Sequence, residues 1–229
     1  PINLVLALVA GLGLAGLTVF ALEQLDDRLE DPNDIARKIG LPLLGAIPEW
    51  DQDDLMRDLR DPKSQIAEAV VSIQTSLSFL TDHGVPKSFM LTSTRPSEGK
   101  STTATALAIS LARTGRKVLL IDADMRSPSV NELLALGNET GLSNYLSGAP
   151  GWQALVQTTD VERLWSLTTG PIPPASAVLL TTDRFDNLIR EALGQFDNIV
   201  IDGPPVMGLA DAPLLSQKCE GVLFVVESG

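Results

Sequence analysis

The sequence predicts an α/β fold: a mostly parallel sheet with helices on both faces, preceded by one transmembrane helix. Three observations lead there. From Ser64 onward, apolar strand-like runs alternate with helical stretches, which implies a parallel sheet covered on both sides. Residues 2 to 22 carry no charge, and about 20 apolar residues span a bilayer core. The chain has 229 residues, room for one domain plus an appendage.

Taken in order, residues 1–22 read as the membrane helix. A signal peptide fits poorly, since no basic region precedes the apolar run and Glu23 to Asp27 offer no clean cleavage site. The start at Pro1 reads as a chain cut just before this helix. Ala7, Gly11 and Ala15 lie four apart on one helical face. That spacing lets helices approach closely, although small residues are common in membrane helices anyway. Residues 23–63 form an acidic linker broken by Pro32, Pro42, Pro48 and Pro62, with a short helix over Asp34 to Gly40 and an extended piece over Leu41 to Pro48. Gln52 to Lys63 reads as polar linker. This stretch lacks the positive charge that usually sets orientation.

Residues 64–229 form the globular domain. Ile66 to Leu80 is amphipathic and helical. Strands follow at Ser88 to Thr92, Lys117 to Ile121, Leu164 to Leu167, Asn198 to Ile201 and Val222 to Val226. Ser101 to Arg113 and Arg184 to Leu193 are helices. Hydrophobic residues make up 44% of the chain, which fits a globular domain with a membrane segment attached. The net charge of −12 argues against a nucleic-acid partner, because neutralising phosphates needs clustered Lys and Arg. The single cysteine, Cys219, can form no internal disulfide and suits a reducing compartment as a buried thiol. His83 lies in a helix-end loop with no metal-ligating residues around it. Trp50, Trp152 and Trp165 are too scattered for a stacking platform and read as packing residues.

Three motifs carry chemistry. The first is Thr94-Arg95-Pro96-Ser97-Glu98-Gly99-Lys100-Ser101, continuing into Thr102. It is a phosphate-binding loop between an apolar strand and an Ala-rich helix, with Thr94 where the general pattern has Gly. Backbone amides of the loop and first helical turn attract an anion, and the helix dipole adds to them. Lys100 reaches the outer phosphates of ATP, and Ser101 places its hydroxyl on Mg²⁺. The second motif ends an apolar strand in Asp122-Ala123-Asp124-Met125-Arg126. Two carboxylates at the carboxyl end of a parallel strand sit beside the ligand crevice. They can hold Mg²⁺ or take a proton from a hydroxyl nucleophile. The third is Asn198 to Ile201 followed by Asp202-Gly203-Pro204-Pro205, where Asp202 serves Mg²⁺. The three in this order make the fold P-loop NTPase-type.

The set resembles the bacterial tyrosine kinases, relatives of the septum-site and chromosome-partitioning ATPases. Lys100-Ser101, Asp122, Asp124 and Arg126, and Asp202, Pro204 and Pro205 carry the likeness, together with Gly170-Pro171-Ile172-Pro173-Pro174. The front of the chain resembles the end of a polysaccharide chain-length regulator, through Leu25-Asp26-Asp27 and the segment Gly40 to Gly45. The resemblance implies an ATP- and Mg²⁺-dependent tyrosine autokinase tied to capsule or exopolysaccharide export at the bacterial inner membrane. Since ATP is cytoplasmic, residues 23–229 would be cytoplasmic too. Lys100 would neutralise the phosphates. Ser101, Asp122, Asp124 and Asp202 would hold Mg²⁺, and Asp122 or Asp124 would orient or deprotonate the phenol. The implied partners are a tyrosine-rich tail of the same or a neighbouring subunit, further copies in a homo-oligomer, the export machinery and a cognate phosphatase.

The chain departs from the family in three places. Glu68 matches the first position of the family's Glu-x-x-Arg-x-x-Arg self-association motif, but Val71 and Gln74 stand at the arginine positions. That loses charge-assisted contacts to a neighbour, so self-association could rest on the membrane helix instead. The one tyrosine, Tyr145, reads as a partly buried helix residue, and the stop at Gly229 straight after a strand reads as truncation. Arg95 falls where the partitioning ATPases carry a second lysine. It is either a finger for a partner's phosphates or a solvated surface arginine. Two rival functions remain: an ATPase switch of the partitioning type, and a non-catalytic regulator of polymer length.

Overall fold

The computed structural model describes residues 2, 3, 11–18, 20, 40–49, 55–207 and 210–227. The chain divides into two units, Pro1–Leu43 with Ser228–Gly229, and Leu44–Glu227. In the first, residues 11–18 are helical. Among the described residues no helix is long and apolar enough to cross a membrane. The transmembrane helix expected over residues 2–22 lies partly outside the described residues. Trp50, Leu25-Asp26-Asp27 and the short helix expected from Asp34 also lie outside them.

The second unit is built on a six-stranded sheet. Its strands are β1 (Ser88–Ser93), β2 (Val118–Asp122), β3 (Gln157–Thr158), β4 (Leu164–Leu167), β5 (Asn198–Asp202) and β6 (Gly221–Val225), in the order β3-β4-β2-β5-β1-β6. Every neighbouring pair is parallel except β3 with β4. Strand side chains alternate between faces, and both faces are covered. Phe89, Leu91, Val118, Leu120 and Val200 enter one apolar core, while Met90, Leu119, Ile121, Ile199 and Ile201 enter the other. This double burial explains the uninterrupted apolar runs in the sequence.

The first core is roofed by α1 (Leu55–Arg60), α2 (Gln65–Ser78) and α3 (Lys100–Arg113). Helix α2 presents Ile66, Val70, Ile73 and Leu77 inward, the spacing of one helical face. Ser64 caps it by accepting from the Ala67 amide at 3.0 Å. Helix α1 corrects the sequence reading of Gln52 to Lys63 as polar linker. Leu55 and Leu59 lie four apart and are both buried, and two apolar residues among charges are too few to announce a helix. Leu44 and Ile47 also pack on this core. Helix α4 (Val130–Leu133) joins them through Val130, and the other face carries α5 (Leu142–Leu146), α6 (Ser176–Leu180), α7 (Asp183–Ala192) and α8 (Asp211–Ser216). Of these elements the sequence announced α7 and, for α5, only that Tyr145 is a helix residue. Cys219 packs beside the second core, and burial pushes its thiol up to about 11, as an inert structural cysteine requires.

The loop after β4 is fixed by two glycines. Leu142 and Ser143 donate their amides to the Thr168 and Thr169 carbonyls, both at 2.8 Å. A Cβ on Gly141 would meet the Thr168 carbonyl oxygen at 2.1 Å, and one on Gly170, whose φ is +76°, would meet the Gly141 nitrogen at 2.6 Å. The neighbours are backbone and cannot step aside. Gly170→Ala is expected to cost about 3 kcal/mol through positive-φ strain and overpacking. Urea unfolding of the variant beside the parent measures it.

Candidate active site

The three motifs converge at the carboxyl ends of β1, β2 and β5. Strand β1 feeds the loop Thr94–Gly99, which turns into α3 through Ser97 (φ 68°) and Gly99 (φ 79°). The Glu98 carboxylate braces this loop by accepting from the amides of Thr94 at 2.8 Å and Arg95 at 3.0 Å. Among the loop residues, Glu98 therefore acts through its carboxylate on the loop itself. Pro96 and Ser97 are exposed. No side chain caps the start of α3, so its first-turn amides, those of Lys100, Ser101 and Thr102, face an anion with the helix dipole behind them.

Lys100 is the hub. Its Nζ lies 2.9 Å from Asp124 Oδ2, 3.2 Å from Asp202 Oδ1 and 3.0 Å from Ser101 Oγ. All four side chains are buried or nearly so. Burial works against the lysine's charge, but Asp202 and Asp124 outweigh it, and its pKa stands above the ordinary lysine value. Strand pairing puts Asp122 directly beside Asp202. Burial, then the charge of Asp202, pushes the Asp122 carboxyl up to about 7. Burial also raises Asp202, against the pull of Lys100.

The two carboxylates of the second motif are held differently. Asp122 spends both oxygens on backbone: Oδ1 accepts from the Asp124 amide at 3.2 Å, and Oδ2 from the amides of Ser129 at 3.2 Å and Val130 at 3.1 Å. It thereby fixes the start of α4. Asp124 Oδ1 accepts from the amides of Arg126 at 3.2 Å and Ser127 at 3.1 Å, which leaves Oδ2 for Lys100. Asp202 Oδ2 is buried with no partner among the described residues. Such an orphan is costly and fits a water or ion that completes the site.

Among the described residues no three His, Cys, Asp or Glu side chains form a ready metal cage. That is compatible with Mg²⁺, which keeps several waters and is bound by few protein ligands plus substrate phosphates. The hydroxyl of Ser101 and the orphaned oxygen of Asp202 are hard oxygen donors of the right kind.

Sequence reading missed several supports. Thr169 Oγ1 donates to the Asp122 carbonyl at 2.9 Å. Asp211 accepts from Arg126 Nε at 3.1 Å and Ser176 Oγ at 2.6 Å. Threonine, serine and aspartate in loops are too common to stand out. Other expected residues fall outside the cluster. Arg95 is exposed at the loop. Tyr145 is buried, donates to the Arg184 carbonyl at 3.3 Å and carries the Arg184 guanidinium 4.2 Å from its ring centre. His83 Nε2 sits 2.9 Å from Glu220. Glu68 and Val71 are exposed on α2, whereas Gln74 turns inward and accepts from Ser110 Oγ at 2.6 Å.

Comparisons with known proteins agree with this geometry. Residues 89–210 match the CobQ/CobB/MinD/ParA nucleotide binding domain. The tyrosine-protein kinase YwqD of Bacillus subtilis is 40% identical over 171 residues, covering 75% of this chain and 72% of the relative. The kinase domain of the Escherichia coli tyrosine kinase ETK superposes with a TM-score of 0.82 at 28% identity, over 88% of this chain and 83% of that one. The MinD protein of Pyrococcus horikoshii, solved with Mg-ADP, has a TM-score of 0.54 at 23% identity over 61% of this chain and 57% of its own, a likeness of fold alone. A braced phosphate loop, a buried lysine bridging two strand-end aspartates and these relatives together place the chain in the bacterial tyrosine kinase family, within the CobQ/CobB/MinD/ParA class of nucleotide-binding domains.

Proposed function

We propose that the protein transfers the γ-phosphoryl group of ATP, with Mg²⁺, to tyrosine hydroxyls on its own tail or a neighbouring subunit's. The observation that carries this reading is the placement of Lys100 between Asp124 and Asp202 at the uncapped start of α3. The reaction asks for positioning and charge neutralisation rather than covalent help. The loop amides and Lys100 supply both for the phosphates. Ser101 and Asp202, with Asp122 and Asp124, would hold Mg²⁺, which supplies further neutralisation of phosphate charge.

The contacts also separate the two candidate bases. When Lys100 turns to the phosphates, Asp124 Oδ2 and Asp202 Oδ1 lose their cation together, whereas Asp122 remains tied to three amides. Asp124 is thus the better placed to orient or deprotonate the phenol, and Asp122 frames the turn. Burial of Tyr145 removes the only tyrosine of this sequence from consideration as a ready acceptor. Residues 1–22 act as a membrane anchor in this reading, 23–63 as the connecting segment and 64–229 as the cytoplasmic kinase domain. The setting is capsule or exopolysaccharide export at the bacterial inner membrane, with a homo-oligomer and a tyrosine phosphatase as partners.

Incubating the full-length protein with γ-labelled ATP and Mg²⁺ tests this. Labelled phosphotyrosine is the expected product. Free phosphate without phosphotyrosine indicates an ATPase switch, and neither product indicates a non-catalytic regulator.

A further inference from the structure

One buried carboxylate outside the three motifs ties the site together. Asp211 opens α8 and is 1% exposed. It accepts a forked pair from Arg126, Nε at 3.1 Å and Nη2 at 3.3 Å, and a third hydrogen bond from Ser176 Oγ at 2.6 Å. Its partners come from different places. Arg126 lies in the turn after β2. Ser176 opens α6, which follows the loop after β4. Asp211 itself lies beyond β5. One carboxylate therefore clamps three segments that leave the same edge of the sheet, all beside the nucleotide site.

The Arg126 end of the clamp matters most. The amides of Arg126 and Ser127 are the two donors that hold Asp124 Oδ1. Those two bonds fix the rotation of the Asp124 carboxylate and turn Oδ2 toward Lys100 at 2.9 Å. If the Arg126 side chain is released, Asp122 and the buried Met125 still hold the turn, but the residue that supplies one of the two amides loses its tie to α8. A forked, charge-assisted pair to a buried carboxylate is among the most directional contacts a protein makes. The arginine side chain is 47% exposed, so packing alone does not hold it in place.

We propose that Asp211 is a positioning residue: through Arg126 it holds the turn whose amides aim the Asp124 carboxylate at the Lys100–Asp202 site, and so sets the affinity for Mg²⁺ with nucleotide. The proposal rests on the reading of this site as an ATP–Mg²⁺ site. It needs no particular phosphoryl acceptor.

The test measures binding of a fluorescent ATP analogue with and without Mg²⁺, beside melting temperature and kcat and KM for phosphotyrosine formation. Asp211→Asn keeps the shape and the Ser176 hydrogen bond but loses the charge. It is expected to reduce the tightening of nucleotide binding by Mg²⁺ about tenfold, with Mg²⁺-free affinity within about twofold of the parent. It should also lower kcat about 10- to 100-fold with little change in KM. Arg126→Lys, at a half-exposed position, should do the same more weakly, and Asp211→Glu should restore part of the Mg²⁺ effect. A variant that melts lower yet keeps full Mg²⁺ tightening and kcat would show a merely structural Asp211 and overturn the proposal. Should Asp211→Asn fail to fold, an unchanged Mg²⁺ effect in Arg126→Lys overturns it equally. If the parent tightens on nucleotide with Mg²⁺ but forms no phosphotyrosine, the kinase reading fails while the role of Asp211 is still decided by the binding ratio.

Discussion

Replacing Lys100 with Met is expected to reduce phosphotyrosine formation by more than about 10³-fold. The same substitution should destabilise the nucleotide-free protein, which a surface lysine would not. Lys100 is 6% exposed and makes ion pairs with both Asp124 and Asp202. Methionine fills the volume but leaves two buried carboxylates without their cation, a change that costs about 3 kcal/mol. The pH dependence follows from the raised lysine pKa. A raised cation contributes stability that is fully present below its unfolded value and is lost only as pH rises through the folded value, in the alkaline range. The parent therefore keeps this contribution across neutral pH. In the variant Asp202, whose carboxyl burial already raises, relieves the repulsion by taking up a proton, so the deficit should be largest at pH 8 and shrink toward pH 5. Lys100→Arg is the control. It keeps a charge between the carboxylates and should recover much of the stability. It should not recover the rate, because its rigid fork does not reproduce the reach of an ammonium. Equal stability of parent and Met variant at pH 8 would show that the contacts of Lys100 with the two aspartates carry no weight in solution.

What the sequence disclosed, and what it hid, divide along one physical line. Strands β1, β2, β4, β5 and β6 were legible because a parallel sheet covered on both faces needs uninterrupted apolar runs, and these stand out. Helices α2, α3 and α7 were legible from their length and periodicity. Elements of four to six residues, such as α1, α4, α5, α6 and α8, were hidden because so few turns carry no period to read. Their formation is dictated by packing on the sheet. The site shows the same division. Lys100, Asp122, Asp124 and Asp202 were named because they sit at fixed offsets from strand ends, where the backbone itself determines position. Asp211, Ser176 and Thr169 reach the site across gaps of 35 to 85 residues, and no local spacing encodes such a meeting. Gln74 illustrates a different limit. Its place in the self-association motif suggested a lost contact to a neighbour, whereas the structure gives the side chain an internal partner in Ser110.

Asp122 should govern how the stability of the nucleotide-free protein responds to pH. Its carboxyl is raised from an ordinary value of 3.8 to about 7, by burial first and by the neighbouring Asp202 second. The fold thus prefers the protonated form. Below the unfolded value both states hold the proton and the fold suffers no penalty. Between that value and about 7 the unfolded chain ionises while the folded one does not, so stability falls as pH rises. Above the folded value both are ionised and the loss is complete. A gap of this size corresponds to about 4 kcal/mol, most of it spent between pH 4 and pH 7. Asp122→Asn removes the titration. It should flatten that part of the profile, at the cost of one clash: the Asn amide can still accept from Ser129 and Val130, but its NH₂ then faces the Asp124 amide, which at present donates to Oδ1 at 3.2 Å. A donor facing a donor costs about 1 kcal/mol or more, so the variant should be the less stable protein at pH 4, where the parent has lost little, and the more stable at pH 8. Urea titrations at those two values, without nucleotide or Mg²⁺, read the crossing directly. Parallel profiles for parent and variant would place the loss of stability with rising pH elsewhere in the fold. The crossing also bears on the proposed function: a carboxylate that the empty fold holds at a cost is one that a bound cation would stabilise.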